Sequence, residues 1–351
     1  MKRILYFDMW SPVGHHVFNN IHLKALSQLG EVYTIFKEGY YKFDFPHVHH
    51  FLDVPKSFYK EGEGYYKSRL RLAKVVKWVW GKIYKEQWDY IILSSYDPFA
   101  LYISQRFKDS IVIDHNTLGL LDSKIHGFPL CHLSKRMKHL VFSNGMRERL
   151  IECGIKNVSI VPHGFLPMEI EMLSNYDENE LLQRYSLNPL DRIIFFPSLS
   201  KAADDLFLRE FYNPEFNEFL KQHGLKILAK SSIKGSPLSN FSIINGYLPD
   251  NDYKYLFLHS SCNVLLYISD FRYRASGVLN ECFANNIPCV ISDNTSLKEY
   301  LPFINNGSCV FQNAEELKSS ILSVLNRNGE DYYRNLEIIR DPRNAWEEIL
   351  S

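Results

Sequence analysis

Short, almost wholly apolar runs alternate with amphipathic segments along the first half of the chain. "RILYFDM" (3–9) predicts a strand, "HVFNNIHLKALSQLG" (16–30) a helix ending at a glycine, and "EVYTIFK" (31–37) a second strand. After an irregular region come the strands "YIILSS" (90–95), "SIVIDHN" (110–116), "HLVFSN" (139–144) and "VSIVPHG" (158–164), with helices over 98–107 and 145–154. The pattern then restarts. A helix at 177–186 leads to "DRIIFFPSL" (191–199), a long helical segment over 203–223, "LKILAKSS" (225–232), "FSIINGYL" (241–248) and a helix at 250–261. "CNVLLYIS" (262–269), a helix at 277–286, "PCVISD" (288–293) and "SCVFQ" (308–312) follow, and helices at 314–327 and 329–350 close the chain. Strands apolar on both faces, with helices between them, belong to parallel sheets covered on both sides. Two successive doubly wound α/β domains are the simplest account, spanning 1–165 and 166–328, with a final helix at 329–351.

Composition narrows this reading. At 351 residues the chain is long for one domain, and 46% hydrophobic with 23% charged residues is ordinary for a globular protein. A net charge near zero gives no global field to attract nucleic acid. The six cysteines are scattered and none forms Cys-x-x-Cys, so free thiols in a reducing compartment are expected rather than a zinc site. The N-terminus lacks a signal-peptide apolar core and no run of 18 apolar residues exists, so a cytoplasmic protein is expected.

Open α/β sheets bind ligands beyond the carboxyl ends of their strands, which directs attention to the residues just after each strand. In "SPVGHH" (11–16) Gly14 permits close backbone approach, and His15 and His16 can donate to an anion at the start of the following helix. In "VIDHNTLG" (112–119) Asp114 can orient His115, each can bond a sugar hydroxyl, or the pair is structural. Pro162-His163-Gly164 reads as a hinge between the domains. The richest stretch is "YRASGVLNECFANNIPCVISD" (273–293). Ser276 is a helix N-cap there, and the N–H groups of Gly277, Val278 and Leu279 face an anion. Arg272 and Arg274 lie just upstream to neutralise phosphate, Lys201 and Lys230 follow strands of the same domain, and Glu281 sits one turn on, where it can hold the hydroxyls of a ribose.

These residues resemble a known family. "SGVLNECFANNIPCVISD" is similar to the donor-binding signature of GT-B fold glycosyltransferases, specifically the large retaining family four, with Glu281 on the second acid of its Glu-x7-Glu pattern. "KNVSIVPHGF" resembles that family's domain junction, "RIIFFPSLSK" the opening strand of its donor domain, and "INGYLPDNDYKYLFLHSSCNVLLYIS" the run before the signature. The first acid of the pattern falls on Tyr273. The resemblance implies two Rossmann-like domains facing a cleft, an acceptor domain over 1–165 and a nucleotide-sugar domain over 166–328, with 329–351 crossing back to the first. It implies transfer of a sugar, with retention, from a nucleotide-diphosphate donor to a hydroxyl of a glycan or lipid-linked acceptor in surface polysaccharide synthesis. No metal and no cofactor is implied, there being no Asp-x-Asp. Gly14, His15, Lys201, Lys230, Arg274, Ser276, Gly277, Val278 and Glu281 would hold the donor, and His115 with Asp114 would stand at the transferring sugar. With Tyr273 at the first acid, the alternative is a catalytically silent subunit that binds a nucleotide sugar for a partner enzyme. A nucleotide-sugar epimerase matches the signature less well.

The region 55–90 adds a possible address. Its cations interleave with Trp78, Trp80 and aliphatic residues, so the segment 66–87 either lies on the inner face of an anionic membrane, where a lipid-linked acceptor is found, or packs its apolar side on the sheet.

Overall fold

The computed structural model describes residues 1–351 apart from 61, 63, 169–176, 198–201, 235–236, 247, 268–270, 306–308 and 328–330. The described residues form two compact units. The first holds Met1–Phe165, Tyr273–Ala275 and Glu337–Ser351, the second Leu166–Arg272 and Ser276–Leu336.

The first unit is built on seven parallel strands: β1 (Lys2–Asp8), β2 (Gly30–Lys37), β3 (Val48–Val54), β4 (Tyr90–Ser95), β5 (Ile111–Ile113), β6 (Lys138–Val141) and β7 (Val158–Ile160), in the order β3-β2-β1-β4-β5-β6-β7. The second has six: β8 (Arg192–Phe196), β9 (Leu225–Lys230), β10 (Phe241–Ile244), β11 (Cys262–Leu265), β12 (Cys289–Ser292) and β13 (Val310–Phe311), in the order β10-β9-β8-β11-β12-β13. Both are therefore doubly wound sheets as the apolar runs imply. Each has its order reversal beside its first strand, where β1 meets β4 and β8 meets β11. Splayed loops leave a crevice at such a point. Ile4 to Phe7 and Ile194 to Phe196 are fully buried, which is why these strands read as continuous apolar runs.

Helices cover the sheets. In the first unit these are α1 (His16–Ser27), α2 (Tyr65–Ile83), α3 (Pro98–Ser104), α4 (Lys124–Leu133) and α5 (Asn144–Glu152). The second unit carries α6 (Glu178–Arg184), α7 (Ala202–Phe211), α8 (Pro214–Gln222), α9 (Asp250–His259), α10 (Gly277–Asn285), α11 (Thr295–Lys298) and α12 (Ala314–Leu325). The chain closes with α13 (Glu337–Arg340) and α14 (Arg343–Leu350), which belong to the first unit. No helix among the described residues is long and apolar enough to cross a membrane.

Two long helices expected from periodicity are broken. The segment over 203–223 splits at Asn213, whose Oδ1 accepts the Phe216 N–H at 2.8 Å and starts α8 with Pro214 in its first turn. Of the segment over 329–350, residues 331–336 are not helical, Tyr333 forming an isolated bridge with Ile304, and the rest divides at Asp341-Pro342 into α13 and α14, because proline cannot continue the preceding turn. Three elements go unheralded, β3, α4 and the short α11.

The final helix buries Trp346, Ile349 and Leu350, and Tyr90 and Lys138 donate to its last carbonyls. Trp346 is fully buried and its Nε1–H donates to Nδ1 of the equally buried His22 at 2.9 Å, while His22 Nε2–H donates to the His163 carbonyl at 3.2 Å. Next to it, Gly164 has φ +73°, and a Cβ there would lie 2.6 Å from Ile21 Cγ2. Glycine is required at that position for both conformation and space.

Candidate functional sites in the two units

At the order reversal of the first sheet, the residue that organises the crevice is Asp8, the last of β1. It is fully buried. Its Oδ1 accepts the Ser95 hydroxyl and the N–H groups of Ser11 (2.7 Å) and Trp10 (3.2 Å), and its Oδ2 accepts Asn19 Nδ2–H at 2.8 Å. His15 Nδ1 is 3.6 Å from Oδ2. Burial drives the Asp8 carboxyl upward, but the bonds and charge of His15, with Ser95 and Asn19, outweigh it and hold the group below the ordinary aspartate value. A local reading of "YFDMW" gives no sign of this hub, because the side chains that meet it, Ser95, Asn19 and His15, come from β4, α1 and the turn before α1. Gly14, in the short turn before α1, has open space where a Cβ would be and no left-handed φ, so packing does not explain it.

A cavity of about 340 Å³ opens here, walled by Trp10, His15, Arg69, Tyr96, Asp97 and His115. Arg69 lies 5.3 Å from the Trp10 ring centre and 4.3 Å from that of Tyr65, with its Nε 3.0 Å from Asp97 Oδ2. Asp97 also caps α3 by accepting the Ala100 N–H, yet burial still raises its carboxyl above the ordinary value. The guanidinium is therefore oriented from two sides, by rings and by a carboxyl.

His115 meets the cavity with its ring 4.4 Å from that of His15 and 4.4 Å from Phe18. Burial, reinforced by the neighbouring imidazoles of His15, His163 and His22, pushes its pKa well below the ordinary value. It bonds to the Ser94 backbone, and its Nε2 is enclosed without a partner among the described residues. A neutral imidazole with one nitrogen so engaged presents the other as an acceptor for a hydroxyl. The Asp114 role expected towards His115 is not what the structure shows. Asp114 turns inward and is fully buried, its Oδ1 accepting the Tyr96 (2.5 Å) and Thr117 hydroxyls and its Oδ2 lying 2.7 Å from Nδ1 of buried His139. It braces the strand ends beneath the cavity and does not line it. His163 is half-buried against the rings of Phe18 and Phe142, and desolvation lowers its pKa to about 4.

In the second unit, α10 starts at the order reversal as the Ser-Gly pattern predicts. Ser276 Oγ accepts the Leu279 N–H at 3.1 Å, so Leu279 is not available to an anion. The N–H groups of Gly277 and Val278 have no acceptor among the described residues, and Gly277 has open space beside its Cα. The hydroxyl of Tyr267 is 3.4 Å from Ser276 Oγ, and Tyr267 also walls a cavity of about 570 Å³ with Phe207, Arg272, Asp293, Asn294 and Gln312. Arg272 lines this cavity, and the capped helix start adjoins it through Tyr267. Arg274 lies half-buried in the segment Tyr273–Ala275, which belongs to the first unit, while the exposed Arg272 lines the cavity of the second.

Glu281, one turn into α10, is not an exposed decoration. It is half-buried and its Oε2 accepts the Tyr253 hydroxyl at 2.5 Å. Burial raises its carboxyl to about 7, against the lowering effect of that bond. Tyr253, from α9, was not foreseen. Lys230 ends β9, and Lys201 lies outside the described residues. Among the described residues no group of three or more His, Cys, Asp or Glu is placed to hold a metal ion.

Two all-parallel sheets of this order, each with its crevice at the reversal, define the GT-B fold. No protein-family model and no curated protein sequence matches the chain. Solved structures do. An α,α-trehalose 6-phosphate synthase from Burkholderia multivorans superposes with a TM-score of 0.64 at 12% identity, over 100% of this chain and 98% of that one. A UDP-forming trehalose-phosphate synthase from Burkholderia xenovorans, in complex with glucose-6-phosphate, gives 0.63 at 10% identity over 99% and 100%. A UDP-GlcNAc 2-epimerase from Neisseria meningitidis, bound to UDP-GlcNAc, gives 0.58 at 10% identity over 100% and 98%. At such identities the likeness is one of fold.

Proposed function

We propose that the chain is a nucleotide-sugar-dependent glycosyltransferase that moves a sugar, with retention, from a nucleotide-diphosphate donor to a hydroxyl of a glycan or lipid-linked acceptor in surface polysaccharide synthesis. It would work in the cytoplasm, at the inner face of the membrane. The observation that carries this reading is the start of α10. Two amides without an acceptor among the described residues and an open glycine begin the helix, Tyr267 beside its cap walls a cavity that Arg272 also lines, and Glu281 follows about one turn later as a half-buried carboxyl. That order suits a diphosphate followed by a ribose. Fold neighbours whose structures contain UDP-GlcNAc or glucose-6-phosphate are in keeping with such ligands.

In this reading the leaving β-phosphate gains charge as the sugar departs, and the Gly277 and Val278 amides with Arg272 stabilise it in a fixed, preorganised field. Glu281 positions the ribose and takes no part in bond breaking. In the first unit the Trp10 face, the Arg69–Asp97 pair and His115 receive the acceptor and the transferring sugar. A neutral His115 accepts a hydrogen bond from a sugar hydroxyl. No step requires a metal or a cofactor.

The test is a thermal-shift screen of nucleoside diphosphates and their sugars, followed by an assay of nucleotide release with the nucleotide that binds. One nucleotide should raise Tm by mass action. His115→Ala should abolish transfer and leave nucleotide binding intact. No shift with any nucleotide would overturn the donor site. A second reading, the silent subunit, is favoured by Tyr273, which stands where the resembled family has an acid and lies under the Arg149 guanidinium, 5.5 Å from its ring centre. Binding of a nucleotide sugar with no turnover on any acceptor would select it.

A further inference from the structure

The outer surface of the first unit carries a patch that neither cavity explains. Helix α2 buries Leu72, Val75, Val76, Val79 and Ile83, so its apolar side is packed on its own unit. What it turns outward is basic. The helix contains Lys67, Arg69, Arg71, Lys74, Lys77 and Lys82 and no acid of its own; Arg69 is drawn inward to Asp97, while Lys67, Lys74, Lys77 and Lys82 are exposed. Lys67, Arg71 and Lys74, with Ser57, line a groove of about 350 Å³ next to Leu70, which is 50% exposed. Beyond it, α4 exposes Ile125 (77%) and Phe128 (54%), three residues apart on one side of the helix. Rings join the two helices. Tyr65 is 5.4 Å from His126 of α4 and 5.2 Å from Tyr66, which is 6.1 Å from Phe99 of α3, and Tyr102 of α3 is 5.6 Å from Phe128.

We infer that the outer faces of α2, α3 and α4 form one docking surface for an anionic lipid bilayer. The cationic groove receives phosphate headgroups, while Ile125, Phe128, Tyr66 and Leu70 enter the interfacial region beside them. Exposed large apolar side chains gathered next to an acid-free row of cations fit a surface that is at once negative and greasy. A second copy of the chain would bring the same positive charge to the contact and be repelled. The surface also borders the cavity proposed for the acceptor, since Arg69 of α2 lines that cavity from the other side of the helix. A lipid-linked acceptor would thus be met where it is used, a purpose that rests on the proposed transfer reaction, although the binding itself does not.

Sedimentation of the full chain with vesicles of phosphatidylcholine, with and without about a third phosphatidylglycerol, tests this apart from any nucleotide. Binding is expected only with the anionic lipid and should collapse in 1 M salt, where the Debye length is about 3 Å. A cation near such a surface contributes about fivefold to partitioning, so Lys67→Gln/Arg71→Gln/Lys74→Gln should bind about a hundredfold more weakly. Ile125→Ser/Phe128→Ser keeps every charge and should still lose about tenfold or more. All substituted positions except Arg71 are exposed, and matched melting temperatures would show that both variants fold. Failure of the wild-type chain to bind, or wild-type binding by either variant, overturns the proposal. A dimer in gel filtration that Ile125→Ser/Phe128→Ser disperses would assign the face to a second copy and overturn it equally. Loss of vesicle binding with intact nucleotide binding separates this surface from the donor site.

Discussion

Replacing Glu281 by glutamine should change how stability depends on pH, and by an amount the structure sets. The carboxyl titrates at about 7 in the folded chain against an ordinary 4.5. Between those values the native state holds a proton that the unfolded state has released, so the native state binds more protons. Stability therefore falls as pH rises from about 4.5 to about 7, and this contribution is flat above that. A displacement of some two and a half units corresponds to about 3 kcal/mol, and residual exposure of Glu281 brings this to on the order of 2 kcal/mol. Glutamine keeps an oxygen for the Tyr253 hydroxyl and removes the titration. Urea unfolding of wild type and Glu281→Gln at half-unit steps from pH 5 to 8 should give curves that diverge by that amount, the variant gaining on the wild type as pH rises. Parallel curves would refute the burial assigned to this carboxyl.

The same group links pH to ligand. In the proposed donor site a ribose diol would donate to the ionised carboxylate, which is roughly one-tenth populated at pH 6 and nine-tenths at pH 8 for a pKa near 7. Nucleoside diphosphate affinity should therefore rise about tenfold across that range, with proton release on binding near neutral pH, seen by calorimetry in two buffers of different ionisation enthalpy. Glu281→Gln should bind more weakly and lose the release attributable to this site. Proton release equal in the two proteins would take Glu281 out of the donor site even if the stability curves behaved as expected.

Three further outcomes follow from single residues. His22 and His163 are held neutral by burial at pKa values of about 3 and 4, so the unfolded chain gains protons that the native chain refuses as pH falls below 6.5. Stability should drop over pH 6 to 4.5, and His22→Asn should flatten that slope by up to about 1.4 kcal/mol per pH unit in urea titrations. Gly164→Ala puts a Cβ against Ile21 in a left-handed backbone and should cost about 2–4 kcal/mol, read as a lowered Tm. Gly277→Ala meets open space and no unusual φ, so Tm should hold, while a methyl group at the start of α10 should weaken nucleoside diphosphate binding by about tenfold or more in titration calorimetry.

What the sequence made legible follows from how local each signal is. Strands buried on both faces announce themselves as apolar runs, and both parallel sheets were read from them. Edge strand β3 was passed over because "VHHFLDV" exposes His49 and His50 and so breaks the run. Helix α4 was passed over because "KIHGFPLCHL" contains Gly127 and Pro129 and shows apolar residues to solvent as well as to the core. The Ser276 cap was legible since a cap and its helix are adjacent in sequence. Asp8 was not, since its partners Ser95 and His15 reach it only through the fold. Asp114 misled for the same reason. Its neighbour in sequence is His115, but its neighbour in space is His139, one strand over.

Tyr273 is where the resemblance and the local physics part. Arg149 already pairs with Asp122 at 2.7 Å and approaches Glu152 at 3.7 Å, so its charge is met from two sides, and the Tyr273 ring lies beneath it at 5.5 Å. A glutamate at 273 would be a third acid around one guanidinium and would give up the ring face that now supports it. The aromatic residue therefore has a packing role of its own in the first unit. The amides of Gly277 and Val278 and the cavity beside Arg272 belong to the second unit and are formed whatever side chain stands at 273. The absence at 273 of the acid found in the resembled family thus bears on how a transferred sugar would be read, while the electrostatics proposed for the departing phosphate depend on groups present in this chain.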